Sequence, residues 1–434
     1  MAAPLNILII GNSIAGPTLA TFLLLSPHDP KPHITILEKR SPESFKVQSG
    51  QNIDIRGSGV TIIRKLGLEK VICDSTTGEI GAQFVDRDNR VWAQGEAGPS
   101  GGTSDIEIMR GRLAEIMLER CRGVSGDVQK HGGKGVEFIF GDGVRELEQD
   151  GEKVHATFRK SGERRTYDLV VGADGLQSAT RKLVWGAEQD RERVKRLGMY
   201  GAFFSIPKSE ETDTLWRRWF HAPGRRGVML RPDLQRHRTT LFMYVINEKD
   251  QRLVDVAGKG HEEVDAQKEL MAEYFQDAGW ECDRIIREMR ATKDFYYDMV
   301  GQVKMEKWVK GRVVLVGDAG YCPSPISGMG TTLALNGAYH LAGALSRHRN
   351  DCLAALDAYE KQMRPLVDKA QRLPPGTPHI MNPETAWGIF VMRAVFAFIC
   401  WTRITGLLGY FTAWEPKAIP VEEYGFEELP ELPV

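Results

Sequence analysis

The run Gly317–Gly330, Gly-Asp-Ala-Gly-Tyr-Cys-Pro-Ser-Pro-Ile-Ser-Gly-Met-Gly, constrains this chain more than any other stretch. The apolar Val313–Val316 before it reads as a short buried strand, and Thr331–Leu345 after it reads as a helix. The order is buried strand, tight turn with an acid, proline-containing loop and glycine-rich helix start. An acid at the carboxyl end of a buried strand needs a ligand hydroxyl, a helix N-terminus or a cation. Gly328 and Gly330 let the backbone approach a flat or anionic group closely. The helix start adds free N–H groups and partial positive charge. A polyol joined to an electron-rich ring edge meets these demands, as in a flavin with its ribityl chain.

Two other stretches share this grammar. Leu5–Ile10 is continuously apolar, the pattern of a central parallel strand. Gly11-Asn12-Ser13-Ile14-Ala15-Gly16 then opens an apolar helix, and a second strand, His33–Leu37, ends in Glu38-Lys39. This is a βαβ unit with a near Gly-x-Gly-x-x-Gly, and Glu38 falls about 20 residues on, where an acid accepts from a ribose 2′-hydroxyl. Gly11 makes the turn, and the helix N-terminus takes a pyrophosphate. An acid here favours the unphosphorylated ribose of FAD or NAD. Ser13 stands where the pattern has its second glycine, and an α/β domain with an unrelated glycine-rich turn is the alternative. The third stretch is Tyr167–Arg181, a buried strand ending in Gly172-Ala173-Asp174-Gly175 before a helix. In a parallel sheet such strand ends point to one ligand crevice.

Gln51–Arg56 is a short alternating strand that puts Asp54 and Arg56 on one face, either as a surface ion pair or lining the cofactor. Arg110 opens a helix carrying Leu113, Ile116, Met117 and Cys121 at core spacing. A cation at a helix start is unfavourable unless an anion is near, so Arg110 points to a phosphate or ribityl partner, with a solvated arginine as the alternative. Val136–Phe140 and Val154–Arg159 read as strands of a hairpin-rich segment. From about Leu197 the texture becomes antiparallel: Met199–Ile206, Thr214–His221, Arg226–Arg231 and Arg238–Asn247 are strand candidates separated by turn signals. Residues 259–290 read as helical, and Phe295–Met305 as a strand returning to the dinucleotide domain.

Composition narrows the class. With 57 basic and 58 acidic residues there is no charge bias toward nucleic acid or an anionic membrane. The six cysteines show no Cys-x-x-Cys pair, which argues against zinc or a disulfide framework and fits a reducing, cytoplasmic compartment. Ala386–Phe411 is very apolar, but Arg393 and Arg403 cut it into pieces shorter than the ~20 residues of a membrane span. A helical cover on the domain is expected there, with peripheral membrane contact through 387–411 as the alternative. Glu422–Val434 is acidic, contains proline and reads as extended.

These motifs, in this order, resemble the single-component FAD-dependent aromatic monooxygenases of the para-hydroxybenzoate hydroxylase type. The Gly-Gln-Asn-Ile-Asp-Ile-Arg-Gly run at 50–57 is most similar to the branch with the tetracycline-inactivating and natural-product monooxygenases. The resemblance spans about residues 5–370. It implies an α/β fold: a Rossmann-like FAD-binding domain (1–75, 100–196 and 303–370), an interleaved antiparallel-sheet substrate domain (76–99 and 197–302) as an α+β second layer, and a C-terminal helical cover and tail (371–434). It implies that Gly11, Ser13, Ile14, Ala15 and Gly16 cradle the FAD pyrophosphate, and that Glu38 and Lys39 lie at the adenosine ribose. Arg110 would meet the phosphate and ribityl region, Asp318 a ribityl hydroxyl, and Gly328, Met329, Gly330 and Thr331 the pyrimidine edge. Asp54 matches an acid that contacts the flavin, and Asp174 belongs to a motif linked to FAD and NADPH. Thr332 stands where many members have Asn.

The activity implied is FAD- and NADPH- (or NADH-) dependent hydroxylation or epoxidation of a small aromatic, polyketide or terpenoid natural product with dioxygen, through a flavin C4a-hydroperoxide. Pro323 and Pro325 would shield the flavin. Phe203, Arg226 and Met229 are the candidate substrate contacts, with ordinary core (Phe203, Met229) and surface (Arg226) as alternatives. Trp216-Arg217-Arg218-Trp219 does not match the halogenase Trp-x-Trp-x-Ile-Pro pattern. A flavoprotein oxidase, a redox-neutral cyclase and a non-catalytic flavin- or drug-binding protein remain the alternatives.

Overall fold

The computed structural model describes residues 4–45, 51–96, 106–257, 263–402 and 421–432. The segments expected as a loop at 97–104 and as apolar chain at 403–411, together with Gly50, 259–262 and 433–434, lie outside the described residues. Mixed helix and strand give the α/β fold expected.

The apolar runs pair as their composition dictates. Asn6–Ile10 sits centrally between Leu169–Gly172 and His33–Glu38, parallel to both. Val313–Leu315 extends the sheet beyond Leu169–Gly172, and the short Val309–Lys310 closes that edge antiparallel. Val136–Phe140 corrects its expected place. Instead of joining a hairpin it pairs parallel with His33–Glu38 as the outer strand, while Val154–Phe158 lies in a separate three-stranded sheet. Helices Ala15–Leu24, Arg110–Lys130 and Gly330–Arg347 bury their apolar faces in the core shared with this sheet.

The second sheet has seven strands, in the order Phe295–Val303, Val194–Pro207, Arg238–Ile246, Arg226–Asp233, Trp216–Ala222, Gly81–Val85 and Val91–Glu96. Phe295–Val303 is thus an edge strand here, paired antiparallel with Val194–Pro207, and does not return to the parallel sheet. One face packs Phe204, Phe220, Val228, Leu230, Met243 and Phe295 against helices Val264–Phe275 and Cys282–Ala291. Strand side chains alternate, so their neighbours in sequence form the opposite face.

That opposite face lies over the two-stranded ribbon Asn52–Ile55/Ile106–Met109. A buried polar seam joins them. Thr240 donates to the Asn52 side chain at 2.7 Å, and Asn52 donates to Glu107 at 2.6 Å. Arg231 bridges Glu107 and Glu79, and Arg217 also pairs with Glu79. Burial pushes the Glu107 carboxyl up, and Arg231 opposes that.

Two C-terminal pieces complete the molecule. Helix Ala386–Thr402 lies on the sheet's far edge, with Phe396 against Phe84 at 4.8 Å between ring centres and Arg393 donating to the His221 carbonyl. Its other side exposes Trp387, Val391, Val395, Phe398 and Trp401. No helix among the described residues is long and apolar enough to cross a membrane. Residues 421–432 run extended over the parallel-sheet domain, where Tyr424 packs on Tyr339 and Phe426 on Phe22.

Candidate active site

Four strand ends meet at one edge of the parallel sheet: Gly11 after Asn6–Ile10, Glu38 ending His33–Glu38, Ala173-Asp174 after Leu169–Gly172 and Gly317-Asp318 after Val313–Leu315. Backbone bonds hold them level. Gly11 donates to the Leu37 carbonyl at 2.8 Å, Ala173 to Ile10 at 2.8 Å and Val316 to Gly172 at 2.9 Å.

Close approach explains the glycines. A Cβ on Gly16 would sit 2.0 Å from the Gly11 carbonyl oxygen, and one on Gly11 would sit 2.3 Å from that of Ala173. Gly11 also has φ +115°, a conformation that side chains resist. The helix start at Ala15 is therefore packed tightly onto the turn, and no side chain caps it. Ser13 and Lys39 keep solvent access beside it, and Ile14 is buried. The Asn12 side chain is buried with both polar atoms unpartnered.

Glu38 accepts from the Asn12 N–H at 3.1 Å and from Arg40 Nε at 3.0 Å. Burial acts to raise its pKa, but the Arg40 bonds and charge outweigh it, so the carboxylate stays ionised and ready to accept. Asp174 turns inward instead. It accepts from Ser178 Oγ at 2.5 Å and from the Thr180 N–H at 2.9 Å and hydroxyl at 3.0 Å, so it shapes the loop at Gly175.

Asp318 is enclosed by protein yet keeps some accessible surface. Burial raises its pKa; Arg110 nearby and the Cys322 thiol oppose that. Arg110, at the start of its helix, thus has the anion that its position requires. The Gly330 Cα opens helix Gly330–Arg347 beside the same carboxylate, since a Cβ there would lie 3.7 Å from Asp318 Oδ1. Asp54 and Arg56 pair at 2.9 Å and border Gly328, from which a Cβ would reach Asp54 Oδ2 at 3.5 Å. The pair is half-buried. Asp54 Oδ1 and Arg56 Nε are buried without partners. Thr332 closes this corner by donating to the Arg56 carbonyl at 3.2 Å.

Above lies the inner sheet face. Phe203 stacks on Phe242 with ring centres 4.3 Å apart, and Tyr244 follows at 4.9 Å. Met229 is the cross-strand neighbour of both Phe242 and Trp219, and Tyr296 is that of Phe203. Trp219 donates to the Tyr244 hydroxyl at 2.7 Å, which donates to Asn382 at 2.7 Å. Tyr296 is close enough to Arg110 and Asp318 to feel both charges, which brings this face near them. Pro323 is buried and Pro325 exposed, in a loop held by Ser324 at φ +82° and by Gln302 donating to the Pro323 carbonyl at 3.0 Å.

Arg226 requires a correction. Its parity places it on the outer face, where it pairs with Asp277 and donates to the Tyr274 and Pro223 carbonyls. Phe203 and Met229 have the opposite parity and join the inner face. Sequence reasoning missed Phe242, Tyr244, Trp219, Tyr296 and Asp298. Asp298 in the aromatic run Phe295–Met299 was the readable signal, because an acid inside a strand must be partnered.

The residues fit FAD by their own chemistry: tight glycines at two helix starts, the carboxylates of Glu38 and Asp318 beside them and unpartnered buried polar atoms at Asp54, Arg56 and Asn12. The profile described as FAD binding domain matches residues 5–373, and the chain belongs to this family of flavoprotein monooxygenases with the para-hydroxybenzoate hydroxylase-like fold. FAD is its cofactor. FAD-dependent monooxygenase asL6 of Sarocladium schorii is 35% identical over 99% of this chain and 98% of its own length. Monooxygenase CTB7 of Cercospora beticola is 36% identical over 88% and 90%. Among solved structures, tetracycline destructase Tet(55) superposes with a TM-score of 0.74 at 28% identity, covering 97% of this chain and 99% of that one. HpxO of Klebsiella pneumoniae, with FAD and uric acid, shares the fold at 20% identity, a TM-score of 0.68 and 95% and 97% coverage.

Proposed function

We propose that this monooxygenase uses NADPH or NADH to hydroxylate or epoxidise an aromatic, polyketide or terpenoid natural product. The observation that carries this reading is the aromatic inner face, Phe203, Phe242, Trp219 and Met229, on the same side of the sheet as Tyr296, which lies near Asp318 and Arg110. A flat apolar substrate stacks on such a face. The likeness to tetracycline destructases supports a polycyclic, oxygenated one.

When bound, FAD supplies acceptance of hydride from the nicotinamide and activation of dioxygen. The protein's part is to bind, orient and keep dry. In this reading Gly11–Gly16 hold the pyrophosphate, with Ser13 at its side, and Glu38 and Lys39 flank the adenosine ribose. Arg110 and Asp318 divide the phosphate and ribityl groups between them. Gly328–Thr331 present backbone groups to the pyrimidine edge, and Asp54 accepts from the ring system through Oδ1. The Asp174 loop shapes the nicotinamide's approach. Pro323, Pro325 and the aromatic sheet exclude water from the reacting centre.

The test is NADPH oxidation by the FAD-loaded protein under air, with and without a panel of phenolic polyketides, each positive followed by mass spectrometry. Stimulated oxidation with one added oxygen atom is the expected result. Turnover without stoichiometric NADPH would mean an oxidase or cyclase instead. Ligand binding that never increases NADPH use would mean a binding protein.

A further inference from the structure

Residues 421–432 lie in a seat that fits them closely. Along the latter half of helix Gly330–Arg347, Tyr339 donates to the Glu422 carbonyl at 2.6 Å, Arg347 pairs with the Glu422 carboxylate, and His340 Nδ1 lies 2.9 Å from the Tyr424 hydroxyl. The Tyr424 ring covers Gly343, where a Cβ would sit 2.3 Å from it. The segment then crosses the end of helix Ala15–Leu24. Phe426 packs on Phe22 with ring centres 5.1 Å apart, and the Glu427 N–H donates to the Leu25 carbonyl at 3.2 Å. In the middle of helix Arg110–Lys130, the buried Arg120 donates at 2.8 Å to both the Pro430 and the Gly67 carbonyls. Just past helix Ser58–Lys65, the Leu432 N–H donates to the Gly67 carbonyl at 2.8 Å. A Cβ on Gly67 would lie 2.2 Å from the Pro430 carbonyl oxygen, so the approach there is as close as at Gly343.

These four helices are the ones that start at the candidate FAD site: at Gly330, Ala15 and Arg110 and, directly after Arg56-Gly57, at Ser58. One extended segment therefore ties together the far parts of helices whose first turns border the cofactor. A helix is stiff over a few turns, so holding one part restricts the rest. We infer that segment 421–432 is a clamp on the cofactor site, which keeps the four helix starts in register for FAD. Tyr424, Phe426 and the residues that hold them are positioning residues that act through the helices. Linkage makes the effect reciprocal: the factor by which the seated clamp raises FAD affinity is the factor by which bound FAD favours seating. The inference rests on the placement of FAD given above and is independent of the reaction proposed there.

The experiment uses the full chain, with no nicotinamide or substrate present. FAD titrations of the FAD-free protein, followed by fluorescence quenching, give the dissociation constant. Gly343→Ala pushes Tyr424 from its seat while raising the helix propensity of its own helix. Tyr424→Ala removes the ring. Each is expected to weaken FAD binding about tenfold. Met271→Ala, in the core on the outer face of the seven-stranded sheet, lowers stability but leaves the dissociation constant unchanged. In the wild type, FAD is expected to slow amide exchange within 421–432 by the same factor of about ten. If Tyr424→Ala does not fold, Gly343→Ala and the wild-type exchange decide. Unchanged FAD affinity in the clamp variants, an equal loss of affinity in Met271→Ala, or exchange in 421–432 that FAD leaves as it was would each overturn the inference. None of these readouts involves oxygen transfer, so failure of the clamp and failure of the monooxygenase reading are seen separately.

Discussion

Arg181 donates to the Ala319 carbonyl at 2.8 Å and so ties the loop after the Asp174 strand to the turn that carries Asp318. The same guanidinium makes a two-pronged pair with Asp190, at 2.6 and 3.1 Å, and donates to the Leu176 carbonyl at 2.8 Å. It is fully buried, and each contact is directed. Two motifs more than a hundred residues apart in sequence are held in one geometry by one side chain.

Arg181→Met is therefore expected to strand a buried Asp190 charge and cost about 3–5 kcal/mol. The double variant Arg181→Met/Asp190→Leu recovers much of that stability, since no lone charge remains. It does not recover FAD retention, because the Ala319 carbonyl and the turn behind Asp318 stay unanchored. Urea unfolding and FAD content after desalting separate the two effects. Full FAD retention in the double variant would contradict the role given to the Ala319 contact.

The glycines divide by what surrounds them. Gly16→Ala drives a Cβ to 2.0 Å from a backbone oxygen, which nothing nearby can yield to. Purified Gly16→Ala is expected to be colourless, or to fold poorly. Gly126, inside helix Arg110–Lys130, has open space where its Cβ would go. Gly126→Ala should instead raise stability by about 0.5–1 kcal/mol through helix propensity, with FAD binding untouched. Thermal melts and flavin absorbance of the pair are the check.

What could be read in advance follows from the range of the interactions. The three strand-turn-helix motifs are local, and their apolar runs and glycines announce buried parallel strands and close approaches. The inner sheet face is not local. In Arg226–Asp233, Val228 and Leu230 bury outward against helices while Met229 lies on the opposite face, and the string alone does not say which parity faces which layer. Arg226 and Met229, three apart, point to opposite faces of the strand, so both cannot meet one substrate. The place of Val136–Phe140 is hidden for a similar reason: its partner, His33–Glu38, lies about a hundred residues away, and no turn signal marks that pairing.

Two histidines give the protein an acid-sensitive edge. Burial, with Arg393 alongside, lowers the His221 pKa to about 3, and burial lowers that of His340 to about 4 despite Glu422. Both are neutral in the fold, whereas an unfolded histidine protonates near pH 6.5. Below that pH the unfolded chain binds more protons, so this contribution to stability falls as pH drops from about 6.5 toward about 4. His340→Gln removes one of the two protons and keeps a partner for the Tyr424 hydroxyl, which lies 2.9 Å from Nδ1. Its stability should decline less steeply with acid, by up to about 1.4 kcal/mol per pH unit. Parallel slopes for variant and wild type in urea titrations at several pH values would contradict this.

Asp318 pits stability against binding. Burial raises its pKa, with Arg110 only partly offsetting that, so in the FAD-free fold the carboxylate is held against its preference. The sign is fixed by proton counts. Above about pH 4 the unfolded chain has released this proton while the fold still tends to keep it. The fold binds more, and stability falls as pH rises through the raised folded value. Asp318→Asn removes the ionisation at nearly constant shape. The FAD-free variant should then be more stable than the FAD-free wild type at neutral pH, with the gain shrinking as the solution is acidified toward about pH 4. FAD binding should move the other way. A hydroxyl donates more strongly to a carboxylate than to an amide, so the dissociation constant is expected to rise about tenfold. Melts of FAD-free protein and FAD titrations followed by fluorescence quenching measure both. A variant that loses stability and affinity together would mean that Asp318 holds the turn rather than the cofactor.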